Sequence, residues 1–148
     1  GALWAEGVIA EVVLFAVSGR AVALFGPTGL LMLAAVAGIV RWTTLGLATS
    51  LSALVVVQGL HAFTFGAAHL AMMYFIARRV PPEHAATAQS LYSSTAMGLV
   101  MGLAMTASGW LYARHGGHAF LAMTVLSAGG GLIAVVLARG ARVRAGSV

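Results

Sequence analysis

The chain of 148 residues is 61% hydrophobic and 7% charged, whereas ordinary soluble domains carry about 25% charged residues. So few charges cannot clothe a soluble exterior, and lipid is expected to be much of the solvent. The net charge of +5 comes from eight arginines and three glutamates, with most arginines at the ends of apolar segments rather than on one basic face, which argues against nucleic acid. Cysteine, lysine and aspartate are absent, so disulfides, thiol nucleophiles and lysine Schiff bases are excluded. No cofactor is expected, and the fold class is all-α, a polytopic helical membrane protein.

A membrane-spanning helix needs about 20 largely apolar residues. Glycine, proline and arginine punctuation cuts the chain into five such segments at about 1–18, 27–49, 51–79, 85–112 and 118–139, followed by a tail at 140–148. The first is ended by Ser18-Gly19-Arg20 and opens directly in apolar sequence with no charged leader, so it does not read as a signal peptide. Opening at Gly1 instead of Met marks an expected truncation. Pro27 suits the first turn of the second helix, and the second and third segments form a tight hairpin. Pro81-Pro82 stop the third and Gly116-Gly117 stop the fourth.

With alternating crossings, Arg20, Arg78, Arg79, Arg139, Arg142 and Arg144 fall on one side and Arg114 alone on the other. Arginine excess marks the cytoplasmic side, so the C-terminus is expected inside. Gly98 and Gly102 stand at GxxxG spacing, and Gly129-Gly130-Gly131 form a run. Close helix packing is their plain reading, and the triple glycine also suits a bend.

Ionisable groups inside a membrane are costly and usually paired within the bundle. At 1.5 Å per residue, Glu11 lies roughly 13 Å from the arginine-rich end and Glu6 and Arg41 each roughly 20 Å. Either glutamate is therefore within reach of Arg41 if their helices touch. In the third segment Gln58, His61, Phe65 and His69 fall at i, i+3, i+7 and i+11 on one stripe, with His61 near mid-membrane. Histidine beside a carboxylate is a natural proton carrier near neutral pH. Gln89, Tyr92, Ser93, Ser94 and Thr95 make the start of the fourth segment polar, as a hydrated lining would be. Each of these also has a structural reading: ion-pair glue, a satisfied packing histidine, or hydroxyls bonded to their own helix backbone.

Other chemistries fit less well. Haem ligation wants histidines facing each other from different helices, and His61 and His69 share one. Thr106-Ala107-Ser108-Gly109 is near a GxSG pattern, but Thr106 holds the first glycine position and no histidine dyad is evident. Three acidic residues and no cysteine disfavour metal transport, and no metal site is expected.

Leu3-Trp4-Ala5-Glu6-Gly7-Val8-Ile9-Ala10-Glu11-Val12, Arg41-Trp42 and Gln58-Gly59-Leu60-His61-Ala62-Phe63-Thr64-Phe65-Gly66 resemble, in order, helices eight to ten of the phenylpropionate permease family of the major facilitator superfamily. His69, Ala88-Gln89-Ser90-Leu91-Tyr92 and Gly109-Trp110-Leu111-Tyr112 continue the match. The resemblance implies a partial C-terminal half of a transporter bundle, helices eight to twelve, whose partners are the lipid bilayer, the earlier helices of the same transporter, protons and a small organic substrate. By analogy with permeases of the lactose permease type, it implies that Glu11, Arg41 and His61 serve proton coupling and substrate binding. Glu6, Gln58, His69, Gln89 and Tyr92 would line the pathway. Where that family carries a gating motif with several basic residues, the Ser18 to Gly29 segment keeps only Arg20, and Glu6 stands where an uncharged residue is usual.

The function expected is therefore the C-terminal part of a proton-coupled secondary transporter of small organic solutes (aromatic acid, nucleoside or sugar-like). It is not an enzyme, and it would sit in a bacterial inner membrane. The alternative is a non-transporting membrane scaffold or assembly module.

Overall fold

The computed structural model describes the backbone of residues 1–145 and the side chains of residues 1–140. Arg142 and Arg144, and the end of the expected tail, lie outside the described side chains. The helices in order are α1 (Ala2–Ala16), α2 (Ser18–Leu47), α3 (Leu51–Gln58), α4 (Ala68–Arg79), α5 (Pro82–Tyr92), α6 (Met101–His115) and α7 (Phe120–Ala145). A π-helical turn, Ala62–Ala67, joins α3 to α4, and a π-helical stretch, Ser93–Val100, joins α5 to α6. No strand occurs among the described residues, which form an all-α membrane protein built as five rods.

Local chemistry sets where the rods end. Gly26 adopts φ 62°, breaking α2, and Pro27 begins the straight part of the second rod, a place where its missing N–H costs nothing. Ala48 is extended and the Ser50 hydroxyl accepts from the Ala53 N–H at 3.4 Å, capping α3. Val80 is extended before Pro81, and Pro82 takes the first turn of α5. Gly116, at φ 54°, reverses the chain between the fourth and fifth rods. Three continuous helical stretches are long and apolar enough to cross a membrane: Ser18–Leu47, Leu51–Arg79 and Pro82–Gly140, the last holding both rods joined at Gly116. The first rod has 15 residues, fewer than a full crossing needs.

The second and fifth rods pack antiparallel along most of their length. Thr43 and Thr124 share a hydroxyl hydrogen bond of 3.2 Å, and the Trp42 and Phe120 rings stack at 5.9 Å. A Cβ at Gly46 would meet Leu121 Cδ2 at 2.9 Å, one at Gly38 would meet Ser127 Oγ at 2.5 Å, and one at Gly131 would meet Ala35 Cβ at 3.1 Å. The first and third rods run parallel, with Gly7 against His61 and Gly66 against Leu14. These directions bring Arg20, Arg78, Arg79 and Arg139 to one end of the bundle.

Alanine dominates the buried set (Ala21, Ala35, Ala37, Ala62, Ala67, Ala71, Ala134), with Leu30 fully enclosed. Small side chains let helix backbones approach closely where lipid offers no hydrophobic drive for association. The exterior is apolar instead, with Trp4, Leu24, Val56, Met105 and Val125 all well exposed. Gly98 and Gly102 take no part in this packing, because a Cβ at either would meet nothing. The triple glycine lies inside α7, and of the three only Gly131 meets the second rod.

Gly38→Val should force the second and fifth rods apart and lower stability by about 1–3 kcal/mol, the usual cost of overpacking. Gly129→Val, into open space, should change it little. Thermal unfolding in detergent measures both, and equal effects would contradict the packing described.

Candidate functional site

The polar side chains converge where the first three rods meet. Arg41, on the second rod, is 8% exposed. Its Nη2 donates to Gln58 Oε1 at 2.9 Å and its Nη1 to Thr64 Oγ1 at 3.3 Å. The guanidinium carbon lies 4.6 Å from the centre of the Trp42 ring, a favourable place for a cation. Its Nε is buried with no acceptor. Gln58 in turn donates from Nε2 to the Leu3 carbonyl at 3.4 Å, tying the third rod to the first. Thr64 donates to the His61 carbonyl at 3.1 Å, inside the π-helical turn.

Neither glutamate reaches Arg41. Glu11 lies instead beside His61, with Oε2 3.6 Å from Nε2, the one ion-pair contact among the described residues. That separation is longer than a hydrogen bond but within ion-pair range when the imidazole is protonated. The register of the parallel first and third rods explains the choice of partner. Gly7 sits against His61 with no side chain, and this lets the imidazole lie over α1 beside Glu11. Glu6 is half-buried and makes no ion pair.

Toward the arginine-rich end the stripe continues as a ladder of rings. His61 and Phe65 stack at 5.8 Å with planes 5° apart, and Phe65 and His69 at 6.0 Å with planes 7° apart. Phe15 from α1 meets His69 edge-on at 6.1 Å, and Tyr92 from α5 tilts against it at 5.9 Å. The Nδ1 atoms of both histidines are buried without partners.

Of the residues singled out in the sequence, the structure gathers Glu11, Arg41, Gln58, His61, His69 and Tyr92 into one connected array. Gln89 is exposed and stands apart from it. Ser94 bonds the Ser90 carbonyl at 2.7 Å, the local satisfaction that hydroxyls in apolar helices commonly find. Thr64 is the residue that sequence spacing missed. Six positions after Gln58, it falls outside the stripe of Gln58, His61, Phe65 and His69, and the structure places it within the π-helical turn, bonded to Arg41. No group of three or more potential metal ligands occurs among the described residues.

A buried cation, a carboxylate–imidazole pair and a row of aromatic rings, all inside an apolar helix bundle, define a membrane protein with a polar site in its interior. The chain belongs to the MFS_1 like family, whose model matches residues 1–122. It is 38% identical over 127 residues to the probable 3-phenylpropionic acid transporter of Escherichia coli (strain K12). That alignment takes in 86% of this chain and 33% of the relative, so the chain spans about a third of the relative's length. No solved structure matches it.

Gln58→Leu should destabilise the protein by about 1.5–3 kcal/mol by leaving a buried charge short of an acceptor. In an Arg41→Met background the same change should cost far less, because neither polar partner then remains. A double-mutant cycle on thermal stability reads the difference, and additive effects would show that the two side chains are not coupled.

Proposed function

We propose that this chain is the C-terminal part of a proton-coupled carrier of small aromatic carboxylates in a bacterial inner membrane, with its arginine-rich end and C-terminus in the cytoplasm. The observation that carries the reading is the Arg41 guanidinium: buried, bonded to two neutral acceptors, and with no carboxylate in ion-pair range among the described residues. A lone buried charge is strongly unfavourable, and a carboxylate delivered by a substrate supplies the missing counter-charge. Planar bidentate recognition of a carboxylate is what arginine does best. The Trp42 and Phe65 rings nearby suit an aromatic body. The name of the E. coli relative, a probable 3-phenylpropionic acid transporter, fits the same substrate class.

In this reading Glu11 and His61 share the coupled proton. Two groups held 3.6 Å apart form a site whose charge changes by one when a proton binds. Substrate anion and proton therefore enter the low-dielectric interior as a near-neutral pair, which lowers the cost of moving either alone. Gln58 and Thr64 hold the guanidinium toward the substrate, and Glu6, His69, Gln89 and Tyr92 line the route. Alternating access requires a second half of the bundle moving against this one about a midplane site. The protein acts as a carrier and changes no bond in its cargo.

In the full-length transporter, Arg41→Gln should lower kcat/KM for 3-phenylpropionate uptake on the order of 100-fold or more, the penalty of losing one partner of a buried charge pair. It should also erase the preference for the acid over its amide. Glu11→Gln should abolish uphill accumulation while leaving exchange of labelled for unlabelled substrate intact. Unchanged uptake kinetics in both variants would rule this assignment out.

A further inference from the structure

His69 is a titratable group in the bundle interior that the transport reading uses only as lining. It lies eight residues beyond His61, about 12 Å further toward the arginine-rich end. Its Nδ1 is buried and unpartnered, and its surroundings are rings: Phe65 on one face, Phe15 at its edge and Tyr92 tilted against it. The titratable groups that its neighbours present are the Tyr92 hydroxyl from α5 and, one turn along α1 from Phe15, the Glu11 carboxylate already beside His61. Arg41, from the second rod, reaches only as far as Thr64 on the turn between the two histidines. Aromatic faces attract an imidazolium but provide no fixed counter-charge, and no carboxylate stands in ion-pair range of His69 among the described residues.

The two imidazoles are separated by the Phe65 ring, stacked nearly parallel to both. A phenyl face offers no lone pair and no exchangeable hydrogen, so no chain of hydrogen bonds crosses it. Phe65 also sits within the π-helical turn Ala62–Ala67, an element with one residue more than an α-helical turn and often found at functional sites.

We propose that His69 is a second proton station of the transport cycle, on the exit side of the Glu11–His61 pair, and that Phe65 is the gate between them. When Phe65 swings from the stack, water enters the vacated space between the two imidazoles and relays the proton from the Glu11–His61 pair to the Nδ1 lone pair of His69. His69 then releases its Nε2 proton to water at the arginine-rich end, and a ring flip restores the starting tautomer. One proton enters and one leaves, and the relaying water is left unchanged. While Phe65 is in place, no proton passes, and this keeps proton flow tied to the conformational cycle.

The proposal rests on the carrier reading, and two measurements on the full-length transporter in proteoliposomes separate their fates. The first uses no substrate: a potassium gradient with valinomycin drives protons, followed by an internal pH dye. Phe65→Ala should leak protons several-fold faster than wild type, Phe65→Leu should stay tight, and the leak should vanish in Phe65→Ala/His69→Gln. If Phe65→Ala fails to assemble, Phe65→Val should show a smaller leak with the same dependence on His69. A tight Phe65→Ala protein, or a leak indifferent to His69→Gln, overturns the gate. The second measures labelled 3-phenylpropionate: His69→Gln should retain exchange and lose at least tenfold in uphill accumulation. Wild-type accumulation in His69→Gln overturns the second station, whereas absence of exchange in wild type overturns the carrier reading and leaves the leak result to decide the gate.

Discussion

A guanidinium inside a hydrocarbon layer has to find acceptors within the protein, and much of this bundle is arranged around that requirement. Arg41 remains charged under any physiological condition, so it cannot escape the cost of burial by losing its proton. Gln58 and Thr64 supply neutral oxygens and Trp42 supplies a ring face. Both acceptors come from the third rod, which fixes how that rod is rotated and how far along the second it sits. Gln58 then passes the constraint to the first rod through the Leu3 carbonyl. Three helices are thus registered by one side chain whose remaining nitrogen, Nε, is still unsatisfied. Buried polar networks of this kind are costly when incomplete.

The packing elsewhere serves the same end by removing bulk. Gly7 makes room for His61 and Gly66 makes room for Leu14, so α1 approaches the third rod closely enough to bring Glu11 to the imidazole. Gly38, Gly46 and Gly131 let the second and fifth rods close on each other. Small-residue contacts of this type give rigid rods rather than a compressible core.

The fourth rod is built differently. No residue of α5 or α6 is buried, and its hydroxyls turn back on their own carbonyls, as at Ser94 and Thr106. It reaches the site through one ring, Tyr92 against His69. Its large side chains, among them Leu91, Leu99, Leu103 and Met105, face outward, as does much of the surface of a protein whose solvent is lipid.

Composition alone was enough to determine a helical membrane protein, because 7% charged residues leave no other way to solvate the surface. Proline, glycine and arginine punctuation located the rods, since each acts through local backbone geometry or the water interface and needs no tertiary partner. The stripe of Gln58, His61, Phe65 and His69 was equally legible from helical period. What only the tertiary structure decided is who pairs with whom. Depth put both Glu6 and Glu11 within reach of Arg41, but depth says nothing of rotation about a helix axis, and the parallel register of the first and third rods gave Glu11 to His61 instead. Thr64 was hidden for a related reason: it lies outside the stripe, and only the placement of the second rod against the third shows that Arg41 reaches it.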